Sequence, residues 1–212
     1  MVWVKICGVT SVADAVLARD AGADAIGLNF VASSPRAIDL ELGRRIRDAV
    51  ADSLEVVAVV ADWEHERLLE LRAAVAPDWL QLHGSEATDA LAQLLPRAYK
   101  VIHVHDRSDV ARAEAYAGDR LLVDTKVPGQ LGGTGLTFDY ALVRELARVR
   151  SLILAGGLNP TTVAAAVQLV EPFGVDVASG VEVPGEPRQK DPERVRRFVE
   201  AAKQALPATA SR

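Results

Sequence analysis

Short aliphatic runs alternate along the chain with longer stretches in which Ala, Leu and Val recur at helical spacing among charged residues. Eight aliphatic runs predict strands, at 2–6, 24–30, 54–60, 78–82, 99–104, 120–124, 151–155 and 174–179. Eight amphipathic segments predict the intervening helices, at 11–22, 40–51, 63–76, 85–95, 107–117, 138–149, 160–171 and 192–205. Capping residues or a first-turn Pro open several of these helices, namely Ser11, Asn159-Pro160 and Asp191-Pro192.

This repeated order of strand and helix indicates the fold class. Strands separated by a helix pair in parallel through right-handed crossovers, and eight such units close into a (β/α)8 TIM barrel. A doubly wound open sheet is the alternative, but it usually has fewer strands, and no GxGxxG follows the first strand here. We therefore predict α/β architecture with one barrel domain over 1–206 and a short C-terminal tail over 207–212.

Composition and charge exclude several partners. The chain has 212 residues, 50% of them hydrophobic, and a formal net charge of −5, with Lys and Arg scattered along it. That pattern does not predict nucleic-acid binding. No apolar run approaches the roughly 20 residues of a membrane span, and the first residues do not resemble a secretion signal. We expect a soluble cytoplasmic protein without a membrane partner.

The only cysteine, Cys7, ends the first predicted strand, and alternation along that strand separates its two faces. Val4 and Ile6 share the face that packs under helices, whereas Lys5 and Cys7 share the other. A single cysteine cannot form an internal disulfide or a cysteine metal site, so Cys7 is either core packing or a reactive thiol. The same alternation places polar side chains at the ends of three other strands: Gln81, His83, Asp124 and Asp176. Burying these groups is costly, so their convergence at the barrel mouth predicts a site.

Glycines follow the last two strands. Gly156 and Gly157 lie in LAGGLNP, and Ser179 and Gly180 lie in DVASGVE. Glycines of this kind can serve turn geometry alone. Adjacent turns after strands seven and eight of a barrel, however, form a cradle of backbone N–H groups where a phosphate usually binds. The pair therefore predicts a phosphorylated small-molecule substrate.

Other polar residues carry weaker signals. Arg36 in SSPRAID can bind a carboxylate through two N–H groups, although an isolated Arg is often only solvated. His103 and His105 share one strand face, but without clear carboxylate partners we interpret them as polar filling or rim, with a metal pair as the alternative. Two long loops, 125–137 and 180–191, follow strands and so are expected on the catalytic face.

Together these motifs resemble one family, phosphoribosylanthranilate isomerase, a (β/α)8 barrel of tryptophan biosynthesis. The matching stretches occur in family order: KICGVT (5–10), SSPR (33–36), QLHG (81–84), VDT (123–125), GGTGLTFD (132–139), LAGGLNP (154–160) and GVDVASGVE (174–182). The sequence departs from the family at Tyr140, where Trp is common, and in PGEPRQKD, which is longer than the usual PG-x-KD turn. That longer turn leaves the roles of Lys190 and Asp191 open.

The resemblance implies an Amadori rearrangement of N-(5-phosphoribosyl)anthranilate to 1-(2-carboxyphenylamino)-1-deoxyribulose 5-phosphate, without cofactor or metal. It assigns Cys7 as general base, Asp124 as general acid and Arg36 to the anthranilate carboxylate. It places the phosphate on the four residues of the two glycine turns, Gly156, Gly157, Ser179 and Gly180. The remaining polar residues of the strand ends are expected at the substrate: Lys5, Gln81, His83 and Asp176. The Gly-rich loop after Asp124 resembles a mobile cover over the site.

This chemistry sets two requirements on pKa values. An Asp that donates a proton to the ribose ring oxygen needs a raised pKa, which the apolar residues Leu121, Leu122 and Val123 are expected to provide. A thiolate base needs a lowered pKa, which Lys5 on the same strand face is expected to provide.

Two other functions stay open from the sequence. A histidine-pathway barrel isomerase performs a similar rearrangement but uses two Asp residues, and a phosphosugar-binding barrel without catalysis would not need Cys7 and Asp124. No obvious exposed apolar patch is visible in the sequence, so a monomer is expected, with a dimer as the alternative.

Overall fold

The computed structural model describes residues 1–104, 106–124 and 141–205, in which eight parallel strands form a closed barrel in chain order. The strands are β1 Trp3–Cys7, β2 Ala25–Asn29, β3 Glu55–Val60, β4 Trp79–Leu82, β5 Ala98–His103, β6 Arg120–Asp124, β7 Ser151–Ala155 and β8 Gly174–Val177. The helices are α1 Val12–Asp20, α2 Leu40–Val50, α3 His65–Val75, α4 Thr88–Ala92, α5 Arg107–Glu114, α6 Ala141–Val149, α7 Val163–Val170 and α8 Pro192–Gln204.

Barrel closure is visible in the pairing of β1. This strand pairs in parallel with β2, where Cys7 lies opposite Gly27, and with β8, where Lys5 lies opposite Asp176. Because β1 pairs with β2 on one side and with β8 on the other, the sheet has no free edge. The predicted TIM barrel is thus confirmed, and the open sheet is excluded.

The two strand faces separate as alternation predicts. Outward side chains such as Val4, Ile6 and Leu80 are fully buried in the layer between strands and helices. A second, smaller apolar cluster fills the barrel interior: Ala25, Val57, Tyr99, Val101, Leu122, Ile153 and Ala155. The interior is therefore a packed core, with room for polar chemistry only at its ends.

Helix starts follow the capping signals in two cases. The side chain of Ser11 accepts a hydrogen bond from the backbone N–H of Asp14 at 3.0 Å. Asp191 accepts hydrogen bonds from Glu193 N and Arg194 N, and Pro192 occupies the first turn of α8. These bonds satisfy backbone donors that a helix leaves unpaired at its start.

The helices that are shortened most relative to the prediction are α4 and α7. The helix predicted over 85–95 spans only Thr88–Ala92, because Glu86 accepts a hydrogen bond from Asp62 N in a non-helical loop and Pro96 disfavours helix beyond it. The helix predicted from 160 begins at Val163. There the side chain of Asn159 accepts a hydrogen bond from Thr161 N at 2.8 Å, which forms a turn ahead of the helix.

The segment predicted as a loop over 180–191 is largely ordered structure. It contains a short 3₁₀ helix, Ser179–Val181, and an antiparallel hairpin of β9 Glu182–Val183 and β10 Glu186–Lys190. Gly185 adopts a positive φ of 83° in its turn, a conformation that residues with a Cβ rarely adopt.

An aromatic and charged cluster closes the N-terminal end of the barrel. Arg120, the first residue of β6, pairs with Glu55 at 2.9 Å, and its guanidinium lies 3.9 Å from the ring centre of Trp79. The rings of Trp3 and Phe173 stack on one another, and their centres lie 5.4 Å and 5.2 Å from the same guanidinium. A paired guanidinium packed among aromatic rings at this end of the barrel is expected to serve stability.

The structure describes only part of the predicted division into a barrel domain and a C-terminal tail. One barrel spans the described elements from β1 to α8, whereas the predicted tail over 207–212 lies outside the described residues, so that division stays a prediction. None of the helices in the described ranges is both long and apolar enough to cross a bilayer.

Candidate active site

A cavity of about 370 Å³ opens at the C-terminal ends of the barrel strands. Ten of the eleven predicted site residues line it: Cys7, Arg36, Gln81, His83, Asp124, Gly156, Gly157, Asp176, Ser179 and Gly180. They come from six different strands or the loops that follow them. The structure therefore brings together groups that are distant along the chain.

Lys5 is the exception. Its side chain is fully buried and lies below the cavity rather than in its lining. The Lys5 Nζ donates a hydrogen bond to Gln81 Oε1 at 2.6 Å and forms an ion pair with Asp176 Oδ1 at 3.1 Å. Tyr99 also donates to Gln81 Oε1, at 3.0 Å. Lys5 therefore supports cavity residues from beneath, and its expected contact with substrate stays a prediction.

The Cys7 thiol lies at the end of β1 and is almost completely buried, with 9% of the residue exposed. Its neighbour across the sheet is Gly27, and a Cβ at position 27 would lie 2.7 Å from Cys7 Sγ. The absence of a side chain at Gly27 thus makes the space that the sulfur occupies. Cys7 Sγ is 3.7 Å from Lys5 Nζ.

The electrostatics at Cys7 differ from the prediction. Burial raises the pKa of the Cys7 thiol, and the Asp176 carboxylate raises it further, while Lys5 and Lys190 act in the opposite direction without reversing the shift. Lys5 does not lower the thiol pKa overall because burial and the Asp176 carboxylate together have the larger effect. At Lys5 itself burial lowers the pKa of the ammonium, but the interactions with Asp176, Cys7 and Tyr99 together outweigh burial and raise it. The Cys7 thiol is therefore mostly protonated near pH 7.

Asp124 ends β6 opposite His103 of β5. Its side chain is 21% exposed, and its Oδ2 lies 4.0 Å from His103 Nδ1. Leu121 and Val123 belong to the outer core and point away from the carboxylate, so of the three apolar neighbours expected around Asp124 only Leu122 shares its interior face. The carboxylate thus faces the cavity in a mixed environment rather than an apolar one.

His83 lies between Gln81 and the barrel rim. Its Nδ1 is 3.4 Å from Gln81 Nε2, and its ring contacts that of His103 edge-on with centres 5.7 Å apart. Burial lowers the pKa of His83, so its imidazole is neutral near pH 7. Among the described residues no group of three or more His, Cys, Asp and Glu side chains is arranged to hold a metal ion. His105 lies outside the described residues.

The glycine turns after β7 and β8 meet as predicted. Gly156 and Gly157 have positive φ values of 104° and 68°. A Cβ at Gly180 would overlap the carbonyl oxygen of Leu158, so the two turns approach backbone to backbone. Ser179 opens the 3₁₀ helix beside them. This geometry suits an anion held by backbone N–H groups.

Arg36 is anchored by a residue that the sequence analysis did not single out. Its Nε and Nη2 donate to the two carboxylate oxygens of Glu182 at 2.6 Å and 2.7 Å. This hydrogen bonding raises the pKa of the Arg36 guanidinium. Glu182 also forms an ion pair with Lys190, whose Nζ lies 3.0 Å from Glu182 Oε1. Nε and Nη2, the pair of donors expected to hold a substrate carboxylate, thus bind Glu182, while Arg36 also lines the cavity.

Sequence reasoning missed Glu182 and Asn29 and left the role of Lys190 open. Asn29 lines the cavity and could have been found by extending the alternation of β2, which places residues 25, 27 and 29 on one face. Glu182 stands in the quoted GVDVASGVE motif, but nothing local indicates its partner, since Arg36 is distant along the chain. The loop 125–137, Thr125 and Tyr140 lie outside the described residues.

Known proteins match the whole architecture. The family model of N-(5'-phosphoribosyl)anthranilate (PRA) isomerase matches residues 4–201. An N-(5'-phosphoribosyl)anthranilate isomerase of Moorella thermoacetica is 43% identical over 207 residues, which cover 97% of this chain and 91% of that protein. The crystal structure of phosphoribosyl anthranilate isomerase from Thermotoga maritima is 38% identical with a TM-score of 0.86, covering 96% of this chain and 99% of that chain.

A second solved structure carries a ligand. It is a phosphoribosyl anthranilate isomerase in complex with reduced 1-(o-carboxyphenylamino)-1-deoxyribulose 5-phosphate. It is 35% identical to this chain with a TM-score of 0.83, and the match covers 96% of this chain and 99% of that chain. Full-length matches at this level, on a barrel whose cavity gathers the family's motifs, show that the chain belongs to the N-(5'-phosphoribosyl)anthranilate isomerase family.

Proposed function

We propose that this chain converts N-(5'-phosphoribosyl)anthranilate to 1-(o-carboxyphenylamino)-1-deoxyribulose 5-phosphate, with Asp124 as general acid and Cys7 as general base. The observation that carries the proposal is the meeting of these two side chains with the glycine turns in one cavity. A thiol, a carboxylic acid and a phosphate cradle are the groups that this isomerisation requires. Membership of the family supplies the reaction.

Asp124 acts first in the proposed mechanism. It donates its proton to the ribose ring oxygen, the bond between that oxygen and the anomeric carbon breaks, and the anthranilate nitrogen supplies the electron pair that forms an iminium. Asp124 suits this role because its carboxyl faces the cavity while its backbone is held within β6. A donor held on a strand keeps its position as the ring opens.

Cys7 acts second. Its thiolate removes the proton from the ribose carbon beside the iminium carbon, and the electron pair of that C–H bond neutralises the iminium to give an enolamine. Ketonisation of the enolamine then gives the product. The thiolate forms next to Lys5 Nζ, 3.7 Å from Cys7 Sγ, which stabilises the negative charge as it develops. Asp176 opposes this effect and keeps the resting thiol protonated.

The two ends of the substrate are proposed to bind at opposite sides of the cavity. The phosphate lies on Gly156, Gly157, Ser179 and Gly180, where backbone N–H groups converge. The anthranilate carboxylate lies at the cavity-facing N–H groups of Arg36. Gln81 and Asp176 lie between these ends and are proposed to contact the ribose hydroxyls.

Substitution of the two reacting groups tests the assignment. Cys7→Ser and Asp124→Asn are each expected to lower kcat by a factor of about 10² to 10⁴, as for the loss of a general base or acid. Turnover is followed by the loss of anthranilate fluorescence. Asp119→Asn is the matched control, because Asp119 is an exposed Asp at the other end of β6 that bonds only Ser151 among the contacts described. Undiminished rates in both site variants would refute the mechanism.

We infer that the chain acts as a monomer in the cytoplasm. The large exposed apolar side chains of the described residues come from different parts of the chain: Met1 at the start, Leu69 on α3, Val149 on α6, Leu169 on α7 and Phe173 between α7 and β8. A catalytic thiol also suits a reducing compartment. Light scattering at micromolar concentration is expected to give the mass of one chain, and a doubled mass would refute the monomer.

A further inference from the structure

The hairpin β9–β10 carries the part of the sequence that is longer than the family's usual turn, and it packs against the loop that follows β2. Arg188 of β10 donates through Nη1 to the carbonyl oxygens of Pro35 and Ala37, at 3.1 Å and 2.9 Å. These two carbonyls stand on either side of Arg36. Arg188 Nη1 therefore fixes the backbone on both sides of Arg36.

The same hairpin also holds the tip of the Arg36 side chain. Glu182, the first residue of β9, accepts both hydrogen bonds from the Arg36 guanidinium. Glu182 is 6% exposed, and hydrogen bonds from Arg36 and Lys190 outweigh the effect of its burial and lower the pKa of its carboxyl. Arg36 is thus fixed at its backbone by β10 and at its guanidinium by β9.

The other side of Arg36 packs on the backbone after β1. Gly8 has a positive φ of 70°, and a Cβ at this position would overlap Arg36 Cδ. The aliphatic part of Arg36 therefore lies between Gly8 and the hairpin with little freedom to change rotamer. Gly8 immediately follows Cys7, so the same contact fixes Arg36 relative to the thiol.

Three charged side chains meet beside the cavity: Arg36, Glu182 and Lys190. Glu182 neutralises Arg36, and the pair alone would offer a substrate carboxylate no net charge. The ammonium of Lys190 is 2% exposed and pairs with the same carboxylate at 3.0 Å, so the three side chains together carry one positive charge. Lys190 ends β10, and its backbone N–H bonds Asp14 Oδ1 at 3.4 Å.

We propose that the β9–β10 hairpin is a positioning device for Arg36, in which Arg188 and Glu182 are positioning residues and Lys190 supplies the net charge that attracts the substrate carboxylate. The hairpin sets affinity for the anthranilate end of the substrate rather than the rate of proton transfer. This inference rests on the proposed function, because it takes Arg36 to bind that carboxylate.

Substitution of Arg188 tests the hairpin without touching the cavity. Arg188 is exposed, so Arg188→Ala is expected to fold, and Arg196→Ala is the matched control, since Arg196 is an exposed Arg of α8 that pairs with Glu193. Losing two hydrogen bonds to the loop is expected to raise KM for N-(5'-phosphoribosyl)anthranilate about fivefold and to leave kcat within about twofold. The control is expected to match the wild type.

A second measurement needs no substrate. Hydrogen exchange in the ligand-free protein reports the loop directly, because the Ile38 amide bonds Asn29 O at 2.9 Å and the Ala37 amide bonds Ser34 O at 3.1 Å. Arg188→Ala is expected to speed exchange at these two amides about fivefold, with no change in Arg196→Ala.

The outcomes separate the inference from the function on which it rests. Faster exchange with a raised KM supports the positioning device. Unchanged exchange, or faster exchange with an unchanged KM, overturns it. If the wild-type protein does not turn over N-(5'-phosphoribosyl)anthranilate, the proposed function falls, and the exchange result alone decides whether the hairpin holds the loop.

Discussion

Lys5 Nζ lies 3.1 Å from Asp176 Oδ1 at the base of the cavity, and the two residues stand opposite one another where β1 and β8 close the barrel. Because the first and last strands pair in this register, the ion pair exists only once the barrel is complete. It shares its ammonium with the Cys7 thiol, 3.7 Å from Lys5 Nζ. Barrel closure thus sets the electrostatics of the proposed base.

The thiol pKa is expected to respond in opposite directions to the two partners. Asp176→Asn removes a negative charge that raises the pKa of Cys7, so this pKa should fall. Lys5→Met removes the charge that lowers it, so the pKa should rise. Cys7 is the only cysteine, and ultraviolet absorbance of the thiolate during a pH titration therefore reports this residue alone. Asp119→Asn should leave the titration unchanged, and parallel shifts in both site variants would contradict the model of a shared ammonium.

The pH dependence of alkylation at Cys7 follows from the same shift. Burial and Asp176 raise the pKa of Cys7 above its ordinary value, so the thiolate is the minor form near pH 7 and its fraction grows as pH rises. Because iodoacetamide reacts with the thiolate, its rate of reaction with Cys7 should increase with pH through about 8.5 and beyond. Mass spectrometry of the protein after timed exposure gives this rate at each pH. A rate that is unchanged between neutral pH and about 9 would contradict a raised pKa of the Cys7 thiol.

Two glycine substitutions should separate backbone strain from phosphate binding. Gly157 and Gly22 have positive φ values of 68° and 84°, so Gly157→Ala and Gly22→Ala should each cost about 1 kcal/mol of unfolding free energy. Gly157 lines the cavity, and a Cβ there would meet no atom of the described residues within 4 Å, so it would project into the space proposed for the phosphate.

Only Gly157→Ala is therefore expected to raise KM, by about tenfold for the loss of roughly 1.4 kcal/mol of binding. Denaturant unfolding and steady-state kinetics of both variants check the two effects. Equal KM values in the two variants would count against a phosphate at this turn.

Arg120 should matter for stability and not for catalysis. Its guanidinium pairs with Glu55 and packs on Trp79 at the end of the barrel opposite the cavity. Arg120→Met is expected to lower the unfolding free energy by about 2 kcal/mol through loss of the ion pair and the cation–π contact. Arg120→Lys retains the charge but not the planar stack, so it should fall between Met and wild type. A changed KM in either variant would contradict a purely structural role.

Local patterns were sufficient for the fold. The aliphatic runs mark each strand because interior strands of a parallel barrel are buried on both faces, and the Ser11 and Asp191 caps mark helix starts because they satisfy unpaired backbone donors. Alternation also assigned the faces of Lys5 and Cys7 correctly. Where prediction was wrong, as at the start of α7, the side chain of Asn159 had an alternative backbone partner that competes with helix.

The sequence by itself determined the barrel, the family and most of the side chains at the cavity, since strand periodicity and ordered motifs are local properties. Only the tertiary structure decided how those side chains pair. Lys5 forms an ion pair with Asp176, and the Arg36 guanidinium donates two hydrogen bonds to the Glu182 carboxylate. Such pairings follow from strand register and from loops that meet across the barrel mouth. Their effect on the Cys7 pKa depends on burial and on distances of a few ångströms between charges, because coulombic energy and desolvation depend on position in space rather than along the chain.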